Sequence, residues 1–381
     1  MQCRSIGGEH QSASLAVCID RERKMAVKSK QRITLGSFDF IKGMAMICIV
    51  LGHTLNTYSV EHSMAMSGLT KLIVLIRAGI IPLFFLISGF GFKPKDARIM
   101  LKKTAADLIV PYLWIAAAYA LIYPVTVLLT TGSLYWTIRQ TLCYVVSLLL
   151  GNTAERVLFD VAMPWWLPCW YLLATFVSFN VLNQILRLKK VWHQAAAAAL
   201  SVVAGYGLFC LDFHYFCIAQ GLMGVGYCFI GYALKKYSLL EKLRTSVWTY
   251  LILVPVSVAE ALWGYFDLCP GEFNNVLLDY IGAGGMGLLF LLVGIYLGRL
   301  EWRPLEWVKS VGIYTYWLIC IHSFEENGLP WQLWHQVVEN HQMMGFLIEM
   351  AARILIMAAV CAVLKKISKY RYKRKMVRNG K

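Results

Sequence analysis

Charged side chains are scarce in this sequence. Asp, Glu, Lys and Arg make up 15% of its 381 residues, against 59% hydrophobic ones, too few to cover the surface of a soluble protein of this length. The 11 cysteines include no C-x-x-C pair and fall mostly inside hydrophobic segments. That excludes a zinc ribbon or a disulfide framework, so they read as small apolar packers and no metal site is expected. The first 37 residues have no apolar core of a signal peptide, so targeting rests on the first hydrophobic segment itself. Met25, followed by AVKSKQRITLGSFDF, can serve as the true start, which would leave residues 1 to 24 without a functional role. A separate soluble module and an obvious internal repeat are also missing.

What is present is a succession of long hydrophobic segments. About 20 apolar residues cross a hydrocarbon core of roughly 30 Å. Spans are expected near 38–60, 69–92, 105–130, 164–187, 191–211, 213–234, 246–266, 277–298, 308–325 and 343–364. The expected fold is therefore an all-α integral membrane protein of about ten transmembrane helices. A further short interfacial or re-entrant helix is expected within residues 131–163, where SLYWTIRQTLCYVVSLLLG carries Arg139 and is short for a span. The domain reading is a cytoplasmic N-terminal segment at 1–36, expected to be disordered, a transmembrane domain at 37–365, and a basic tail at 366–381.

The formal net charge of +16 raises the question of nucleic acid, but the basic residues cluster between hydrophobic segments rather than along a polar domain. The stretches 211–214, 267–280 and 325–342 contain no Lys or Arg. The intervening loops are rich in them: Lys93, Lys95, Arg98, Lys102 and Lys103 lie in one, and Lys235, Lys236, Lys242 and Arg244 in another. By the positive-inside rule both termini are cytoplasmic. The expected location is the plasma membrane, with the bilayer and its anionic lipids as partner for the tail, and no nucleic acid. A homo-oligomer is left open.

Ionisable groups inside such segments are costly and usually face a bundle interior or a water-filled cavity. In FDFIKGMAMICIVLGHTLN (38–56) Lys42 and His53 are eleven residues apart, so a helix places them about 20° apart in angle and roughly 16 Å apart along its axis. They share a face, and Asp39, one turn before Lys42, is expected to pair with it. The second segment repeats the spacing in Arg77 and Ser88. Arg77 and His53 are expected to line one cavity, with His322 near the same outer depth, close to Glu325 and Glu326. A histidine there can take a proton from a hydroxyl or attack a carbonyl, and an arginine can stabilise an oxyanion. The competing reading is that Arg77 snorkels to the headgroups while His53 only bonds a neighbouring helix. Glu260 can orient a histidine, bind a sugar hydroxyl, or act as a structural partner of Arg77.

Pro82, Pro111, Pro168, Pro255 and Pro330 fall in or beside hydrophobic segments, where each frees a backbone carbonyl that another group must satisfy. GAGGMG (282–287) fits G-x-G-x-x-G, but no strand precedes it, so it reads as a helix-packing surface, as does AAAAAL (195–200).

Taken in order, FDFIKGMAMICIVLGH, IPLFFLISGFGF, KKTAADLIVPYLW, PWWLPCWYLLATF and SVGIYTYWLICIH resemble the segments of the acyltransferase 3 family, over roughly residues 36–365. The resemblance implies ten spans and transfer of an acyl group, acetyl in most members, from a cytoplasmic donor such as acetyl-CoA to hydroxyls of carbohydrates bound for the cell surface. It implies no tightly bound cofactor, acyl-CoA as donor substrate, and a carbohydrate or lipid-linked glycan as acceptor. The family's first-span basic residue falls on Lys42, where arginine is commoner, and its essential histidine on His53. The serine and glycine of its F-x-x-S-G motif fall on Ser88 and Gly89, and the histidine closing its tenth-span motif on His322. Asp107, where the family is usually basic before the proline at Pro111, departs from the pattern. The donor's phosphates are expected to meet Lys42, Lys95, Arg98, Lys102 and Lys103, with Ser88 also on the donor side. The rival reading of the same features is a polytopic transporter or exporter of a glycan or small metabolite.

Overall fold

The computed structural model describes residues 36–55, 58, 64–154, 156–158, 160–163, 169–300, 302–329 and 331–378, without the side chains of 64–77, 327, 328, 332 and 371–378. The expected N-terminal segment, the alternative start at Met25, and Pro168 and Pro330 lie outside the described residues. The structure is mostly helical, at 82%. Every segment expected to span contains helix. The first is α1, Gly36–Leu55. It is followed by α2 (Met64–Gly91), α3 (Ala97–Thr104), α4 (Val110–Thr131) and α5 (Leu134–Leu150). Next come α6 (Trp170–Ile185), α7 (Val191–Cys210), α8 (Ile218–Lys236), α9 (Leu239–Thr245), α10 (Val247–Trp263) and α11 (Val276–Leu297). The chain closes with α12 (Arg303–Ile313), α13 (Thr315–Gly328), α14 (Trp331–Val337) and α15 (Gln342–Arg378).

Among the described residues, five helical runs are long and apolar enough to cross a membrane: Gly36–Leu55, Ala97–Thr131, Val191–Cys210, Val276–Leu297 and Glu339–Tyr370. Counting α9 and α10, which meet at an 83° bend, as one broken span makes six. Ten crossings is more than this criterion supports, for identifiable reasons. The α6 helix has only 16 residues. The segment expected at 308–325 is two helices, because the chain tightens at Tyr314, whose N–H bonds Val311 O. The final helix, itself one of the five, continues past the expected span into the basic tail as far as Arg378. Within 131–163, α5 ends at Gly151 in a left-handed cap (φ 56°), then leads into a two-stranded hairpin of β1 (Arg156–Leu158) and β2 (Val161–Met163). A second hairpin, β3 (Phe266–Asp267) with β4 (Glu272–Phe273), joins α10 to α11.

The α8 helix is the hub, packed against α2, α6 and α7; α2 also packs on α11, which carries α10. Close approach of α2 and α8 depends on small residues. A methyl at Gly89 would meet Cys228 O at 2.0 Å, and one at Gly231 would meet Leu86 O at 2.0 Å. This is the small-residue packing expected where helices lack a hydrophobic drive to associate. The GAGGMG run does the same on α11, with Gly282 against Glu260 and Gly287 against the carbonyl of Gly79.

Two contacts set the helices that carry ionisable groups. The first joins α1 to α12: a methyl at Gly312 would lie 1.6 Å from Asp39 O, and one at Gly43 would lie 2.0 Å from Val308 O. The second joins α13 to α4. Pro111 has no N–H for the carbonyl four residues back, and the helix widens to a π turn over Ala105–Ile109. The freed carbonyl is that of Asp107, and Tyr316 Oη donates to it at 2.7 Å. The basic loops gather at one end of the bundle. Phe38 at the start of α1 stacks near Phe90 at the end of α2, with ring centroids 4.8 Å apart, and Lys235 at the end of α8 lies over Phe90. Lys95, in the turn before α3, and Asn183 on α6 exchange backbone–side chain bonds of 3.0 Å.

Candidate active site

His53 lies in the last turn of α1. Its Nδ1 is 2.9 Å from Glu326 Oε1. On α13, His322, Glu325 and Glu326 occupy positions i, i+3 and i+4, so all three project from one face. His322 Nδ1 is 3.1 Å from Glu325 Oε2, and His322 Nε2 is 3.9 Å from Glu326 Oε2. The two imidazoles meet edge to face, 5.5 Å between centroids. One oxygen of Glu326 thus faces His53 and the other faces His322. Exposure is graded across the cluster: the side chain of His53 is 38% exposed, that of Glu326 17%, and that of His322 4%.

Behind this pair lies a second layer supplied by α14 and α15. Arg353 Nε is 3.2 Å from Glu325 Oε1 and 2.9 Å from Glu349 Oε1, and the guanidinium stands over the Trp331 ring. Glu349 Oε2 receives the Tyr58 hydroxyl at 2.8 Å and lies 2.9 Å from His335 Nε2. Trp334 Nε1 donates to Tyr58 Oη at 2.9 Å, and Trp331 Nε1 to the carbonyl of Glu325 at 3.1 Å. Glu349 and Arg353 are buried, and an arginine held between two carboxylates is the arrangement in which buried charge is tolerated.

Sequence reasoning missed Glu349, Arg353, His335 and Tyr58. The signal was present in LIEMAARIL, where Glu and Arg four apart interrupt an apolar run at helical pairing distance. The arginine was sought at Arg77 instead. Arg77 belongs to α2, but its side chain lies outside the described residues; among the described residues Arg353 is bound to the cluster through Glu325.

Glu260 is placed elsewhere. It packs on α11 against Gly282 and beside Asp279, so its described neighbours are those of a helix-packing carboxyl and include neither histidine.

Of the residues expected on the donor side, Lys42 pairs with Asp39 at 2.7 Å and is 29% exposed. Ser88 is half-buried, its hydroxyl 3.1 Å from that of Tyr171. Lys95, Arg98, Lys102 and Lys103 are exposed along α3 and the turn before it. Lys103 pairs with Asp107, so the acidic residue that breaks the expected pattern takes up part of the basic charge nearby.

The cluster's chemistry follows from its spacing. The donor atoms of His53, His322 and Glu326 all lie within 4.8 Å of one another, a set that a divalent cation can use. Tetrahedral coordination at about 2.1 Å would hold ligand atoms roughly 3.4 Å apart, so the 2.9 Å His53–Glu326 contact would have to open. As it stands, that contact is a hydrogen bond which orients the imidazole. With Nδ1 held by a carboxylate, proton exchange falls to the other ring nitrogen.

A model of the acyltransferase 3 family, described as an acyltransferase domain, matches residues 35–365. Comparison with curated proteins and with solved structures returns no match. The match runs from the start of α1 into α15 and contains every residue of the histidine–glutamate cluster, and the chain belongs to the acyltransferase 3 family.

Proposed function

We propose that this membrane acyltransferase is an O-acyltransferase, moving an acyl group from a cytoplasmic acyl-CoA to a hydroxyl of a cell-surface or lipid-linked carbohydrate. The observation that carries the reading is the graded exposure of the His53–Glu326–His322 cluster: the more exposed of its two imidazoles is oriented by a half-buried carboxylate. In the reaction the acceptor hydroxyl gives its proton to His53 as its oxygen attacks the thioester carbonyl. The C–O bond forms, the C–S bond breaks, and the proton passes to the departing thiolate of CoA. Glu326 stabilises the imidazolium between these steps, and Glu325 holds His322 beside it. Lys42, Lys95, Arg98, Lys102 and Lys103 supply positive charge for the donor's phosphates at the opposite end of the bundle.

The test is His53→Ala, with mass spectrometry of intact surface glycans. General-base removal is expected to lower acylation by about 10²–10⁴-fold, while the protein stays inserted and abundant. Glycan masses unchanged from wild type in that variant would refute the role.

A further inference from the structure

Between α4, α5, the start of α6 and the middle of α13 lies a small internal slot, lined on α13 by Ser323, the residue after His322. Ile115, Ala116 and Leu148 give its lining apolar surface, and Tyr112, Tyr119, Tyr144, Cys169 and Ser323 give it polar groups. Nearly every polar group around it is already engaged. Tyr112 donates to the carbonyl of Leu148, and both Cys169 Sγ and Tyr119 Oη bond Ser323 Oγ, at 3.1 and 3.4 Å. The exception is Tyr144, whose residue is 2% exposed and whose hydroxyl has no partner among the described residues. A buried hydroxyl with no partner is unfavourable, and a ligand that accepts its hydrogen bond recovers that loss. The ring is fixed by stacking on Tyr123 (4.3 Å, 17°) and by an edge contact with Tyr119 (5.6 Å).

The slot also adjoins the reacting groups. Ser323 follows His322 in α13. In size the slot has room for about one water molecule or one methyl group.

We propose that this slot is the acyl-binding pocket: Tyr144 donates a hydrogen bond to the thioester carbonyl oxygen, and Ile115, Ala116 and Leu148 enclose the methyl of a two-carbon acyl group. The proposal rests on the acyl-CoA reading above and adds to it the residues that set acyl length. Tyr144 keeps its proton throughout. Its bond strengthens as the carbonyl oxygen gains charge in the tetrahedral intermediate and relaxes when the C–S bond breaks.

The test uses the full-length chain in detergent with an equimolar mixture of acetyl-, propionyl- and butyryl-CoA, and reads the masses of the acylated acceptor. Wild type is expected to favour acetyl over butyryl at least tenfold. Leu148→Ala should narrow that ratio at least tenfold, and Ala116→Leu should depress transfer of all three acyl groups. Tyr144→Phe should lower kcat by about 10–10³-fold with the acceptor KM unchanged. Wild-type acyl preference and rate in the three variants, each monodisperse by size exclusion, would overturn the pocket and leave the transferase reading standing, with a lone water as the slot's occupant. A wild-type chain that yields no acyl ester from any donor would overturn both.

Discussion

Arg353 is a residue on which several neighbours depend. It holds Glu325 and Glu349 simultaneously, and those carboxylates in turn hold His322, His335 and Tyr58. Breaking a buried ion pair from one side strands the other charge, at a cost of about 3–5 kcal/mol. Arg353→Met is therefore expected to lower thermal stability in detergent by that order. Arg353→Lys should fall between it and wild type, because an ammonium lacks the planar fork that serves two carboxylates at once. Adding Glu349→Gln to Arg353→Met should recover part of the loss, since one stranded charge is removed. Additive losses in the double variant would show that the pair is not coupled. At this scale the sequence was legible where it relied on spacing within one helix: Asp39 with Lys42, and His322 beside Glu325 and Glu326. It was not legible where partners come from different helices. Nothing in the sequence near His53 singles out Glu326, and no spacing ties Arg353, which binds Glu325, to the cluster.

At the scale of elements, the site depends on how closely backbones approach. The α1–α12 contact brings a carbonyl to Gly312 with no room for a methyl, whereas Gly207 on α7 has nothing within 4 Å of its would-be side chain. Gly312→Ala is expected to force α12 away from Asp39 and cost at least 2–3 kcal/mol, in the range of overpacked cores. Gly207→Ala should be neutral or stabilising by about 0.5–1 kcal/mol, because alanine is the better helix former. Unfolding midpoints of the two purified variants check the contrast, and equal midpoints would refute it. Helix positions were readable from runs of apolar residues, and the demand for a carbonyl partner was readable from Pro111. The identity of that partner, Tyr316, was not, because it lies about two hundred residues along the chain. The break at Tyr314 was hidden for a related reason: the residues on both sides of it are apolar and continue the pattern of a span.

For the whole molecule, charge separates the two ends of the bundle, and the placement of the basic loops at one end agrees with their alternation in sequence. A cysteine introduced at Leu211 in a chain stripped of its native cysteines should react with a membrane-impermeant maleimide in intact cells. One at Lys189 should react only after permeabilisation. The opposite pattern would invert the proposed orientation and place His53 on the cytoplasmic side. Composition made membrane residence plain, and the order of five apolar motifs made the family plain. The number of crossings was less so, since hydropathy does not distinguish a helix facing lipid from one such as α8 that is buried among other helices. The closing of the site also has a timetable. Tyr58 and Glu349 are 291 residues apart, and at a synthesis rate of about 5–20 residues per second the first helix waits on the order of 15–60 s for its last partner to emerge. The histidine at the end of α1 is made among the first and supported among the last, so a nascent chain can have its α2–α8 hub in place while still lacking the carboxylates and arginine that hold the cluster together.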